Sequence, residues 1–479
     1  MFNSSLDAVV PMLCVALAAL ATMAAEAFRA RGESMPLGGL GIVGLIGAAI
    51  SSLVLWNRNT SSFGVIVADN FGLFVTLVLV LVGVLTIMFS SPVVRRDGLP
   101  SGDYYALTLF STVGMMMMAT ANDLLVIFIA LEILSLAVYV LTGIRREDPR
   151  ATEAAFKYFL LGAFSSAFFL YGIAFTYGLA GTTRLDRIGA YLAAQSMSDN
   201  ALILVALGLL LIGFAFKISA VPFHMWTPDA YEGAPAVVTG FMSTGVKAAA
   251  FAAFVRVFLS AFEPFSGEWA PIIWLLAAAT MILGTVVGVA QSNLKRMLAY
   301  SSIAHGGYLL VGLVAANQMG KAAILFYLLA YAVTNVAAFG VIALLGTRDH
   351  SRDELRDYAG LWHTRPALAA LMTICLLSLG GLPPTAGFIG KWYIFGAAVS
   401  AGYYGLAIIG VLTSVVSVFF YLRVVVMMYM TDGQAAPEQA AMSRIGMAAL
   451  VASIAAIFYL GILPAFVLHL ASESIATIF

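Results

Sequence analysis

Runs of about twenty apolar residues recur along the chain, and no other feature limits its possible folds so strongly. A helix rising 1.5 Å per residue needs about 20 such residues to cross the hydrocarbon core of a bilayer. Candidate crossings are Leu6–Phe28, Leu37–Trp56, Val65–Phe89, Tyr104–Ala121, Leu124–Ile144, Ala154–Leu179, Ala201–Ala220, Ala236–Phe258, Ala270–Val289, Met297–Ala315, Ala322–Leu345, Pro366–Val399, Tyr403–Met430 and Met447–Leu470. Composition agrees: 62% of the 479 residues are hydrophobic and 10% charged, with a mean hydropathy of +0.99, far from soluble domains. The expectation is an all-α integral membrane protein of about fourteen transmembrane helices. A formal net charge of zero points to no nucleic-acid or acidic partner and leaves the lipid bilayer as the evident one. The N-terminus, M-F-N-S-S-L-D, lacks a basic run, so Leu6–Phe28 is expected to be a retained first crossing rather than a cleaved signal.

Lysines and arginines set the expected orientation. Connections after odd-numbered crossings hold Arg29, Arg31, Arg95, Arg96, Arg145, Arg146, Arg150, Lys295, Arg296, Arg348, Arg352, Arg356, Arg365 and Arg444. Those after even-numbered ones hold only Arg58, Arg184, Arg187, Arg256 and Lys321. The richer side is expected to face the cytoplasm, with both termini periplasmic.

One stretch, Lys217 to Pro235 (K-I-S-A-V-P-F-H-M-W-T-P-D-A-Y-E-G-A-P), breaks the apolar pattern. Pro222 lacks an N–H and clashes with the preceding turn, so a helix arriving through Phe216 is predicted to end near Ala220. Lys217 stands just before that break. A charged lysine near the bilayer centre costs roughly 2.5–3.5 kcal/mol, which marks it as functional by default. Broken backbone at that depth survives only beside protein or a water-filled cavity, so the stretch reads as part of an ion pathway. Pro366–Val399 is too long for one straight crossing and contains G-G-L-P-P-T-A-G, which predicts a second broken helix.

Lys217, Lys247 and Lys391 lie deep in their runs, whereas Lys157 and Arg423 lie near helix ends, where such side chains snorkel. Glu132 is the one acid deep in a crossing, about nine residues or 14 Å beyond Asp123. An unpartnered buried carboxylate is costly, so Glu132 is expected to pair with Lys217. His305, in Y-S-S-I-A-H-G-G, falls at similar depth. For each of these residues the plain alternative is a hydrogen-bonded group that fixes helix packing. His224, Asp229 and Glu232, placed in a cytoplasmic connection, are candidates for proton uptake or a solvated, capped loop.

Crossings four to eight and nine to thirteen each hold five helices with a broken fourth member. Five is odd, so the second unit is expected to be inverted, as in many transporters. The expected divisions are 1–103 (three helices), 104–260 and 261–430 (the two repeats) and 431–479 (a final helix). Other features carry no chemistry. G-x-G-x-x-G at Gly39–Gly44 follows no strand and reads as small-residue helix packing, as do Gly284 and Gly288. Met115–Met118 reads as filler, and Cys14 and Cys375 as small apolar residues without a ligand cluster. No Walker motif or haem or iron–sulfur ligand set is present.

Together these residues resemble the antiporter-like membrane subunits of respiratory complex I, the NADH:quinone oxidoreductase, and of multisubunit cation/proton antiporters. V-P-F-H-M-W-T-P-D-A-Y-E-G-A-P resembles their broken seventh helix, Lys217 and Glu132 match their lysine–glutamate pair, and N-L-K-R-M-L-A-Y-S-S-I-A-H-G-G resembles their tenth helix. Y-E-G-A-P and P-P-T-A-G-F-I-G-K-W resemble the N-type branch. An M-type chain is expected to carry glutamate at Lys391, and an L-type chain to continue with a lateral helix beyond Phe479. The resemblance implies proton translocation through Glu132, Lys217, Lys247, His305 and Lys391, in a bacterial inner membrane, coupled to NADH oxidation and quinone reduction in other subunits. It implies no cofactor on this chain, with NADH, FMN, iron–sulfur clusters and quinone held by those subunits. Implied partners are antiporter-like neighbours and small membrane subunits of the complex, with no nucleic acid. A Mrp-type cation/proton exchanger is the alternative.

Overall fold

A computed structural model of the chain describes residues 6–29, 35–194, 201–347, 352–432 and 443–478; Arg31 and Arg348, counted above among the basic connections, lie outside them. Among the described residues the fold is all-α apart from one hairpin. In order the elements are α1 (Val10–Phe28), α2 (Leu37–Leu55), β1 (Thr60–Ser62), β2 (Ile66–Ala68), α3 (Asn70–Asp97), α4 (Ser101–Thr120), α5 (Leu124–Thr142), α6 (Pro149–Ala180) and the short α7 (Leu185–Ala193). There follow α8 (Ala201–Lys217), α9 (Trp226–Gly233), α10 (Ala236–Ala261), α11 (Ser266–Val289), α12 (Leu294–Ala315), α13 (Gln318–Leu345), α14 (Pro366–Gly380), α15 (Ala386–Ser400), α16 (Tyr404–Met430), α17 (Arg444–Ile462) and α18 (Ala465–Ile475). Eleven helices among the described residues are long and apolar enough to cross a membrane. The remaining runs read as crossings fall on α4, on α8 and on the broken pair α14–α15.

Position in the fold separates two kinds of helix. In α10, α12 and α13 nearly every residue is buried, whereas in α1, α2, α6, α16 and α17 most of the span is open to the surroundings. A helix apolar on all sides yet uncovered within its own chain faces lipid or a neighbouring membrane subunit, so the first group forms the core of this chain and the second its rim.

Both expected breaks are present. Helix α8 stops at Lys217, Ser219 takes a left-handed φ of 65°, and the Val221–Pro222 bond is cis. The chain does not then run on as an irregular loop: a turn over 221–225 comes first. It re-forms as α9, packed on the first turns of α6, where a Cβ on Gly233 would meet the Arg150 carbonyl at 2.7 Å. The stretch is the interior of one discontinuous helix: Asp229 and Glu232 fall on its second half, α9, and His224 stands in the turn that precedes it. The second break lies between α14 and α15, over Gly381–Thr385, with Gly381 at φ 82° and a cis Pro383–Pro384 bond.

Small residues set the closest approaches. A Cβ on Gly44 would run into the Ala18 side chain and come within 3.0 Å of the Cys14 carbonyl, while one on Gly39 would meet nothing within 4 Å. Within Gly39–Gly44, then, Gly44 packs α2 on α1, while Gly41 faces Ile87 of α3 and Leu109 of α4. Met115, Met116 and Met118 are buried in the core. Gly44→Leu is expected to overpack this contact, at about 1–3 kcal/mol, and to lower the thermal midpoint of the purified protein. Gly39→Leu should leave it unchanged or slightly raised, since leucine is the better helix former.

Candidate functional site

Three lysines stand inside the bundle with no carboxylate in ion-pair range among the described residues. Lys217, Lys247 and Lys391 are 3%, 2% and 5% exposed. Their partners are hydroxyl and carbonyl oxygens. At the last residue of α8, Lys217 donates to Ser135 Oγ (2.8 Å) on α5 and Tyr158 OH (3.3 Å) on α6. Lys247 directly follows a π-helical turn, Met242–Val246, within α10; such turns are rare and cluster at functional sites. It donates to the carbonyl (2.5 Å) and hydroxyl (2.6 Å) of Ser302. Lys391, on α15, reaches back to the end of α14 and donates to the Leu379 and Gly380 carbonyls (2.9 and 3.0 Å) and to Ser414 Oγ (2.8 Å).

The middle of α12 lies between the two breaks. A Cβ on Gly306 would stand 3.1 Å from the Ile218 carbonyl, in the first break, and 3.8 Å from Lys247 Nζ. The neighbouring His305 is buried, with Nδ1 2.6 Å from Tyr327 OH and Nε2 3.3 Å from Tyr421 OH; Tyr421 also bonds Ser301. A cavity of about 10 Å³ joins His305 to Thr334 and Ser378, beside the second break. Aromatic rings fill the remaining distance: Lys247 Nζ lies 5.7 Å from the Tyr331 ring and Lys391 Nζ 5.0 Å from the Tyr308 ring. Both rings pack on His305, at centroid distances of 5.0 and 5.5 Å. Lys247, His305 and Lys391 thus share one aromatic box.

Glu132 stands elsewhere than expected. It is only half-buried, forms no ion pair with Lys217, and accepts from Ser166 Oγ at 2.5 Å. Ser135, one turn further along α5, takes the lysine instead. A second cavity of about 10 Å³, lined by Ser135, Ser165, Ser166 and Lys217, separates the two charges and has room for about one water. Among the uptake candidates, Asp229 pairs with Arg296 (2.7 Å) and Lys157 (3.0 Å), and Glu232 with the same Arg296 (2.8 Å). His224 is tied into no such pair and its Nδ1 is without a partner among the described residues. Lys157 also pairs with Glu153 (2.7 Å), and Arg423 caps α11 by donating to the Val289 carbonyl (3.0 Å).

Sequence matching places this chain among known proteins. Residues 121–417 fit the transmembrane family described as "NADH:quinone oxidoreductase/Mrp antiporter, TM". The chain belongs to this family. Over 475 residues, 99% of its own length and 98% of the relative's, NADH-quinone oxidoreductase subunit N from Trichlorobacter lovleyi is 43% identical to it. A chain of respiratory complex I from Thermus thermophilus is 35% identical, with a TM-score of 0.81 over 96% of this chain and 99% of that one. A chain of the Mrp complex from a Dietzia species matches at TM-score 0.82 and 22% identity, a likeness of fold alone. Glu132, His305 and the three lysines lie within the matched residues, and Tyr421 falls just beyond them.

The ion pair buried most deeply on both sides among the described residues left no mark in the sequence. Arg256, counted above with a connection, is the last residue before the π-helical turn that closes α10. Its guanidinium grips Asp69, the N-cap of α3, at 2.6 and 2.8 Å, with side chains 5% and 4% exposed. Planar bidentate pairs of this kind are the strong ones. Asp69→Asn keeps the cap but strands the guanidinium, and is expected to cost about 3–5 kcal/mol, read as a lower thermal midpoint of the purified protein. Adding Arg256→Met should restore most of the loss.

Proposed function

We propose that this chain is the N-type antiporter-like subunit of a bacterial proton-translocating NADH:quinone oxidoreductase and carries protons between its buried lysines while other subunits perform the redox chemistry. The full-length likeness to subunit N at 43% identity supports the assignment. The observation that carries the mechanism is the partner set of the three lysines. A hydroxyl accepts from an ammonium and donates to a neutral amine, so it serves either protonation state, whereas a carbonyl only accepts. Lys217 is held by hydroxyls alone, Lys247 by one of each and Lys391 by two carbonyls and one hydroxyl. We assign Lys217 the role of gated donor and Lys247 and His305 that of relay. Lys391 is the far acceptor, where the carbonyl end of α14 favours a held cation.

Glu132 modulates Lys217 through the small cavity between Ser135 and Ser166, at a distance set by how α5 and α6 pack. Proton uptake runs past His224, because Asp229 and Glu232 are already engaged in ion pairs with Arg296 and Lys157. No metal-ligand cluster occurs among the described residues, and in this reading NADH, FMN, iron–sulfur clusters and quinone belong to the partner subunits. The chain makes fourteen crossings in the inner membrane, with the basic connections cytoplasmic and both termini periplasmic, and the two repeats run over 104–260 and 261–430.

In membrane vesicles, Lys217→Ala is expected to lower NADH-linked quinone reduction and the accompanying proton gradient several-fold together, with the assembled complex still present on a native gel. Unchanged oxidation and pumping with lost cation/proton exchange would overturn the assignment in favour of a Mrp-type exchanger. The partner sets predict a further order: Ser135→Ala combined with Tyr158→Phe should slow pumping more than Ser414→Ala, which leaves Lys391 both of its carbonyls. Equal losses would contradict the roles assigned to the lysines.

A further inference from the structure

On the basic side of the bundle, where α1 and α5 end and α4 begins, an apolar groove of about 280 Å³ opens on the surface. Leu107, Phe110, Val140 and Ile144 line it, and two charged residues, Asp103 and Arg146, stand at its rim. Both are exposed, and neither has an ion-pair partner among the described residues, although they line the same groove with opposite charges. Nearby Glu26 and Arg29 satisfy each other at 2.7 Å, which leaves Asp103 and Arg146 as the charges lining the groove among the described residues. Asp103 sits in the first turn of α4.

An apolar slot on a membrane helix bundle with separate positive and negative groups at its mouth fits a ligand of matching layout: acyl chain below, and phosphate and ammonium above. Basic pockets between helices on the cytoplasmic side bind lipid head groups, and a guanidinium suits a phosphate. The free carboxylate decides the class. It would repel a purely anionic head group, and it rewards one whose amine carries N–H donors.

We infer that this groove holds one amine-headed glycerophospholipid of the cytoplasmic leaflet, its phosphate on Arg146, its primary ammonium on Asp103 and one chain along α4 and α5.

The test uses the intact membrane complex with photoactivatable phospholipids, followed by mass spectrometry of the labelled peptides. Phosphatidylethanolamine is expected to label the segments around Leu107 and Val140 several-fold more than phosphatidylcholine, whose quaternary amine has no N–H, or phosphatidylglycerol. Asp103→Asn should erase that preference while leaving labelling by all three lipids, and Arg146→Gln should reduce labelling by all three. Equal labelling by the three lipids in the unaltered complex would overturn the inference, as would label confined to a neighbouring subunit cross-linked over the groove. Assembly of each variant, checked on a native gel, separates loss of the site from loss of the complex.

Discussion

Backbone freed at membrane depth has to find its hydrogen-bond partners inside the protein, because the bilayer supplies none. That constraint governs both broken helices and, through them, the buried charges. At the end of α8 the chain turns back on itself through Ile218 N to Phe214 O (2.9 Å) and Ala220 N to Ala215 O (2.8 Å). The Phe216 carbonyl is capped by the indole of Trp226 (3.0 Å), and Thr280 Oγ1 accepts from Val221 N (2.9 Å). At the end of α14 the caps are Gly381 N and Leu382 N, both to Leu377 O at 3.0 Å, and Lys391 covers the next carbonyls. One break is closed by an aromatic donor, the other by a cation.

That difference explains why the two halves carry their lysines on opposite sides of the prolines. With Trp226 on the α8 carbonyl, Lys217 is free to turn away toward Ser135 and Tyr158, and Tyr158 in turn stacks on Trp226 at 4.2 Å. The indole thus both finishes the helix and fixes the ring that holds the lysine. Without such a donor at the second break, the lysine itself comes back from α15 to finish α14. Matching architecture then gives two unequal sites, one responsive to its surroundings and one built around a fixed charge. Away from this centre, the Arg256–Asp69 pair ties the end of α10 to the start of α3 and locks two core helices in register.

Burial was legible in the sequence and rotation was not. Apolar run length and the two Pro-containing interruptions locate the long apolar helices, both breaks and the burial of Lys217, Lys247, His305 and Lys391. They do not say which way a helix faces once it packs. Glu132 and Ser135 are one turn apart on α5, and only tertiary packing decides that the serine meets Lys217 while the acid turns to Ser166. Arg256 and Asp69 each lie near the edge of an apolar run, where a charge ordinarily reads as solvated, so their pairing left no local signal. The hydroxyl partners Ser302, Ser414 and Tyr158 are common residues in such helices and become meaningful only once a lysine stands against them. Likewise, the apolar gap after Pro222 did not distinguish a loop from the second half of a broken helix.

The central claim is that Lys217, held by hydroxyls alone, changes protonation state as the enzyme turns over. Isotope-edited solid-state NMR of lysine Nζ in membrane-embedded complex, compared at rest and during NADH-driven turnover, tests it most directly. A neutral-amine signal that appears with turnover and disappears in a Lys217→Arg complex is the predicted result. Lysine signals that remain ammonium throughout turnover, in a complex that still pumps protons, would contradict it.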